Sequence, residues 1–249
     1  MKKAMTGFFA VLILLTMIVC TNITFTAHAH SAEAATRLSL VKPSEFEPSA
    51  PLEFLDVHDD DWFYRPVAWA FENGIMNGLS TTQFAPHDDM TRAMLVTILW
   101  RYAGQPDAGL SPFEDVADGR WYSTAIAWAH ENGIVLGLNP TTFGGNNPVN
   151  REQMYTILFR YMSFAELTID LEEDGGSLLQ FADEDEISAW ALEAMYFMYD
   201  AQIMFRYSTM DIYARPAAHA FRAEIAAAMF FFDMYATPIS IIIPPTRDN

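Results

Sequence analysis

The feature that most limits this chain is that it repeats itself. Residues 54–104 overlay residues 113–163 without a gap, and 22 of these 51 positions are identical. Phe54, Asp56, Val57 and Trp62 meet Phe113, Asp115, Val116 and Trp121. Glu72-Asn73-Gly74-Ile75 meets Glu131-Asn132-Gly133-Ile134, and Gly78, Phe84 and Arg92 meet Gly137, Phe143 and Arg151. A third, diverged copy begins at Phe181-Ala182-Asp183 and keeps Trp190 and Arg222-Ala223-Glu224. It carries Gln202 and Arg206 where the second copy has Gly133 and Gly137. Repeats of this length are single supersecondary units that cannot close a core alone, so the three are expected to pack on one another.

Each unit reads as helix, loop, helix. Val67, Ala70 and Phe71 fall at helical spacing, as do Leu95, Ile98, Leu99 and Tyr102. Asp59-Asp60-Asp61 place carboxylates before the first helix, where orphan N–H groups and the positive helix end favour them. Asn73-Gly74 is a stop signal, with glycine able to take the left-handed conformation. After a loop holding Gly78, Phe84 and Pro86, Thr91 is expected to cap a second helix from Arg92 to about Ala103, and Gly104 to end it. In the second copy Asn150 is the cap, with Gln153 at the capping-box position. The expected fold class is all-α. Most recurring Trp, Phe, Ile and Leu residues are expected to be core.

Charge narrows the partners. With 14 Lys and Arg against 32 Asp and Glu, the chain carries −18. That argues against a general nucleic-acid binder, which needs a basic face, and against adhesion to anionic lipid. A content of 51% hydrophobic and 14% aromatic residues argues against a disordered acidic tail. Lys2 and Lys3 precede an apolar run from Phe8 to Cys20, followed by Ala27-His28-Ala29 and Ala32-Glu33-Ala34. This is the pattern of a secretory signal, too short for a membrane span. The expected organisation is a signal peptide over 1–34, a proline-containing linker over 35–53, and repeats over 54–104 and 113–163. An acidic connection over 164–180, a third repeat over 181–236 and a tail over 237–249 follow. Cutting after Ala34 leaves 12 basic and 31 acidic residues, a charge of −19, with no transmembrane segment. Cys20, the one cysteine, would leave with the signal. No disulfide, thiolate metal site or cysteine nucleophile is then expected.

The motif set resembles the S-layer homology (SLH) family: Phe54-x-Asp56-Val57, Trp62, Trp69-Ala70, Glu72-Asn73-Gly74-Ile75, Gly78, Phe84-x-Pro86 and Thr91-Arg92-Ala93. The resemblance implies three SLH repeats packed as a pseudo-threefold helical triplet. It implies an exported protein of the cell wall or cell surface. Its partner would be secondary cell-wall polysaccharide, anionic and often pyruvylated, held without covalent bonds in grooves between repeats. It implies no cofactor and no catalysis, and little of the chain remains for a catalytic domain. Two departures stand out: Met94 sits where the family usually has a carboxylate or amide, and the third copy lacks both loop glycines. The alternative reading is a structural or interaction protein that uses the SLH scaffold to bind another envelope protein.

The residues themselves suit an anionic sugar. Arg92, Arg151 and Arg222 each open a second helix, where the dipole disfavours a cation unless an anion is also present. Free N–H groups and a guanidinium fork would together receive a carboxylate such as that of a pyruvate ketal. Trp62, Trp121 and Trp190 offer an apolar face for a sugar ring and an N–H donor. Asp56, Asp115 and Asp183 complete the expected polysaccharide-binding set; on the competing reading they pair with the arginines and tie each repeat together. Asp170-x-Glu172-x-Asp174-Gly175 resembles the opening of a calcium loop, but its twelfth position is Phe181 rather than a bidentate Glu. His130-Glu131 has no second histidine four residues on. Glu72 and Glu131 occupy equivalent repeat positions, which favours a structural role. No metal site is expected.

Overall fold

A computed structural model describes residues 44–169, 180–206 and 212–238, all within one compact unit, Thr36–Asn249. The expected signal segment with Cys20, the start of the linker, the Asp170–Gly175 stretch and the tail from residue 239 lie outside the described residues. The all-α expectation holds: six α-helices are described, two in each of three successive units, with a short 3-10 helix at Glu184–Glu186. Unit 1 has α1 (Tyr64–Glu72) and α2 (Arg92–Tyr102), and unit 2 has α3 (Ser123–Glu131) and α4 (Arg151–Phe164). Unit 3 has α5 (Leu192–Asp200) and α6 (Arg222–Tyr235). Two-residue strands β1 (Leu167–Thr168) and β2 (Thr237–Pro238) follow α4 and α6 and pair antiparallel.

Local signals act as anticipated at the second helices. Thr91 Oγ1 accepts from the Met94 N–H, and Asn150 Oδ1 from the Gln153 N–H. The first helices differ. Helix α1 has Phe63 at its N-cap with no side-chain cap, and the Asp61 carboxylate accepts instead from the His58 N–H at 2.7 Å. Asp61 therefore shapes the turn before the helix. The Gln153 half of the capping box is also unmade, because its Oε1 is buried without a partner. Glu72 and Glu131 hold the segments that precede their units, accepting from the Ser49 and Gly109 N–H groups. Phe46, in the expected linker, is buried, and its carbonyl accepts from Arg65.

The stop at the end of each first helix is left-handed in all three units: φ is +67° at Gly74, +69° at Gly133 and +57° at Gln202. A residue with a Cβ is strained there by roughly 1–2 kcal/mol, against about 0.5–1 kcal/mol of extra entropy lost by glycine. Gln202→Gly is therefore expected to stabilise the protein by roughly 0.5–1 kcal/mol, read as a higher denaturant midpoint at unchanged slope.

Packing is between units rather than within them. Helix α2 packs on α3 of the next unit, α4 on α5, and α6 returns to α1. Tyr102, Tyr161 and Phe232, at equivalent places on the second helices, meet with centroids 5.8, 5.9 and 6.1 Å apart, marking the pseudo-threefold axis. Backbone bonds close the same circle. The Met90 N–H donates to Ala220 O, the Ala220 N–H to Val149 O, and the Val149 N–H to Met90 O. The first two N–H groups of each second helix donate into the next unit's loop: Arg92 and Ala93 to Asn147 and Gly145, Arg151 and Glu152 to Ala218 and Pro216, Arg222 and Ala223 to Asp88 and Pro86. These are the orphan donors a helix start always leaves.

Candidate functional site

The three aspartates do one job three times. Asp56 accepts from the Phe84 and Ala85 N–H groups, Asp115 from Phe143 and Gly144, and Asp183 from Ala214 and Arg215, all at 2.7–2.8 Å. The second residue of each pair is left-handed, with φ of +59°, +72° and +50°. Each carboxylate thus pins the bend of its own unit's loop. No ion pair joins these aspartates to the arginines among the described residues.

The arginines reach across. Arg92 donates from Nε to Phe143 O and from Nη2 to Leu136 O, with its guanidinium 4.7 Å from the Phe143 ring centroid. Arg222 does the same in unit 1, to Phe84 O at 2.7 Å and Asn77 O at 2.6 Å, over the Phe84 ring. Arg151 donates to Ala214 O and Phe205 O in unit 3. All three are buried, at 5%, 1% and 6% exposure for Arg92, Arg151 and Arg222. A cation at a helix start is thus compensated by carbonyls of the next unit's loop, and the backbone N–H groups expected to be free for an anion are already used. Burial lowers the Arg92 and Arg222 pKa values, opposed by Asp115 for the first and by Asp88 and Asp56 for the second. Both remain cations at neutral pH.

The third nitrogen distinguishes them. Arg151 Nη1 donates to Glu224, a fully buried carboxylate that also accepts from the Tyr155 hydroxyl. Burial pushes the Glu224 carboxyl up, while Arg151 and Tyr155 hold it back. Among the described residues nothing accepts from Nη1 of Arg92 or Arg222. The positions equivalent to Glu224 are Met94 and Gln153.

The three tryptophans of the expected site lie on the surface, with Trp62, Trp121 and Trp190 at 46%, 58% and 53% exposure, whereas Trp69 and Trp128 are core. Trp121 and Arg222 share a groove of about 110 Å³ built from all three units. Its floor is Asn77, Gly78 and Leu79 of the unit 1 loop, with Met94 and Arg101 from α2. Gly78 is needed there: a Cβ would lie 2.5 Å from both the Phe54 ring and Ser80 O. The lining holds two arginines and no carboxylate, so an overall acidic protein presents a locally cationic, half-apolar slot. Arg101 was absent from the expected site. Its recurrence as Arg160 was the available signal, and nothing in the sequence distinguished it from a solvated surface charge.

Comparison with known proteins bears on this geometry. Residues 53–93 and 112–154 match the S-layer homology domain. These two matched segments contain Asp56, Trp62, Arg92, Asp115, Trp121 and Arg151. The chain is 29% identical over 174 residues to an endoglucanase of Bacillus sp. (strain KSM-635), covering 70% of this chain and 18% of that protein. It is 31% identical over 144 residues to the surface-layer 125 kDa protein of Lysinibacillus sphaericus, covering 55% and 12%. With the S-layer protein sap of Bacillus anthracis it shares 25% identity over 141 residues, covering 56% and 16%. The chain spans less than a fifth of each of these relatives. The likeness to an enzyme is therefore to a small part of that enzyme.

Proposed function

We propose that this protein is an exported, cell-surface anchoring module whose three units are all SLH repeats, and that it holds anionic, pyruvylated cell-wall polysaccharide in grooves between them. The observation that carries the reading is the Trp121–Arg222 slot, where an exposed indole lies beside a buried guanidinium whose Nη1 meets no acceptor among the described residues. A pyranose can rest its apolar face on the indole while a carboxylate takes the free N–H pair and meets Arg101. The equivalent positions one unit on are Trp190, Arg92 and Arg160. Asp56 and Asp115 act indirectly, by fixing the loops whose carbonyls orient Arg222 and Arg92. That unit 3 is an SLH repeat is supported by its matching arginine tie, aspartate pin and left-handed helix stop.

The test is sedimentation of the protein with purified cell-wall sacculi, intact or stripped of polysaccharide. Binding to the intact wall alone is expected. Binding that survives stripping would instead favour docking on an envelope protein or on peptidoglycan, and would sink this assignment. Trp121→Ala is expected to weaken wall binding by about ten- to a hundred-fold, the loss of one good stacking anchor of roughly 1.5–3 kcal/mol.

A further inference from the structure

The three units place equivalent tryptophans and arginines at three junctions, but at one of them the protein's own side chains meet both. Phe205 lies on the face of Trp62, with centroids 4.3 Å apart and planes 21° from parallel. Its equivalents Asn77 and Leu136 are exposed, and among the described residues no ring stacks face to face on Trp121 or Trp190. In the same groove Glu224 occupies Arg151 Nη1, the nitrogen left open on Arg92 and Arg222. A closed ring of bonds holds this filling in place. The Phe205 N–H donates to the Tyr155 hydroxyl, which donates to Glu224; Arg151 donates to both Glu224 and Phe205 O.

From this we infer that the protein is a two-site binder whose third groove is capped by its own Phe205 ring. The Phe205 ring stands where a sugar ring would stack on Trp62, and Glu224 holds that ring's segment in place through Arg151 and Tyr155. The inference rests on the polysaccharide reading and sharpens it. Trp62 and Arg151 then belong to the scaffold, and the chain contacts the wall through Trp121 with Arg222 and Trp190 with Arg92.

Full-length Trp62→Ala, Trp121→Ala and Trp190→Ala separate the possibilities, with affinity for intact sacculi as the readout. Circular dichroism confirms that each variant is folded, and Trp62→Phe, which keeps the stack, serves if Trp62→Ala is not. The expected result is a loss of ten-fold or more for Trp121→Ala and for Trp190→Ala, and less than two-fold for the Trp62 variant. In a Phe205→Asn, Glu224→Met double variant, which gives this groove the residues of its Trp121 counterpart, uncapping is expected to raise the saturating amount of a pyruvylated methyl hexopyranoside from two equivalents to three. A Trp62 loss as large as the other two would overturn the capped groove while leaving polysaccharide binding intact. Indifference of all three tryptophans would remove the polysaccharide reading, and this inference with it.

Discussion

Residues 44–169, the first two units without the third, are expected not to fold cooperatively, although they contain both segments that match the SLH domain. The helix partners explain why. Without unit 3, α1 loses α6 and α4 loses α5. Trp69, fully buried, loses the edge-on contact with Phe230 at 5.7 Å. Ile225, Met229, Phe230 and Phe232 leave the core, and each such side chain contributes about 1.5–3 kcal/mol by burial. Their sum rivals the roughly 5–15 kcal/mol that holds a typical domain together. The Met90, Arg151 and Glu152 N–H groups also lose their unit 3 acceptors, Ala220 O, Ala218 O and Pro216 O. The measurement is a thermal melt by circular dichroism of the fragment beside the full chain. A sharp transition in the fragment, at a temperature near that of the whole protein, would show that two units suffice.

This interdependence marks where sequence reading stops. The offset between copies, the helix spans, the Thr91 and Asn150 caps and the Gly74 and Gly133 stops are set by residues within a few positions of one another, and each was legible. The aspartates and arginines also stood out in the sequence as repeating polar residues. Their partners were not. Asp56 bonds backbone 28 residues away, and Arg222 bonds backbone 138 residues away in the opposite end of the chain. A residue type at a helix start reveals that something must compensate its charge. It does not reveal whether that is a ligand or a carbonyl delivered by another unit. Phe205 was hidden for the same reason. It lies next to Arg206, where the third copy departs from the others, and only the assembled ring brings it to Trp62.

The second large effect is expected at the arginine ties. Arg151→Ala should destabilise the protein by about 3–5 kcal/mol, because it strands the Glu224 carboxylate in a fully buried site and removes donors from Ala214 O and Phe205 O. Arg222→Ala should reach a similar figure by another route: it has no buried carboxylate to strand, but it gives up two charge-assisted bonds to carbonyls, each about 1.5–3 kcal/mol. At roughly 2–4 °C per kcal/mol for a chain of this size, either variant should melt about 6–20 °C lower. Glu224→Gln is expected to be far milder, since an amide oxygen still accepts from Arg151 and the carboxyl's desolvation is relieved. Lysine in place of either arginine should recover only part of the loss, because one ammonium cannot span two carbonyls in the plane of a fork. The two ties should then part company in wall binding, measured well below the melting range. Arg222→Lys, which lacks the in-plane Nη1 donor, is expected to bind at least ten-fold more weakly, whereas Arg151→Lys should bind as the parent does. Unchanged binding in both variants would mean that neither guanidinium meets the ligand and that both serve only to close the ring.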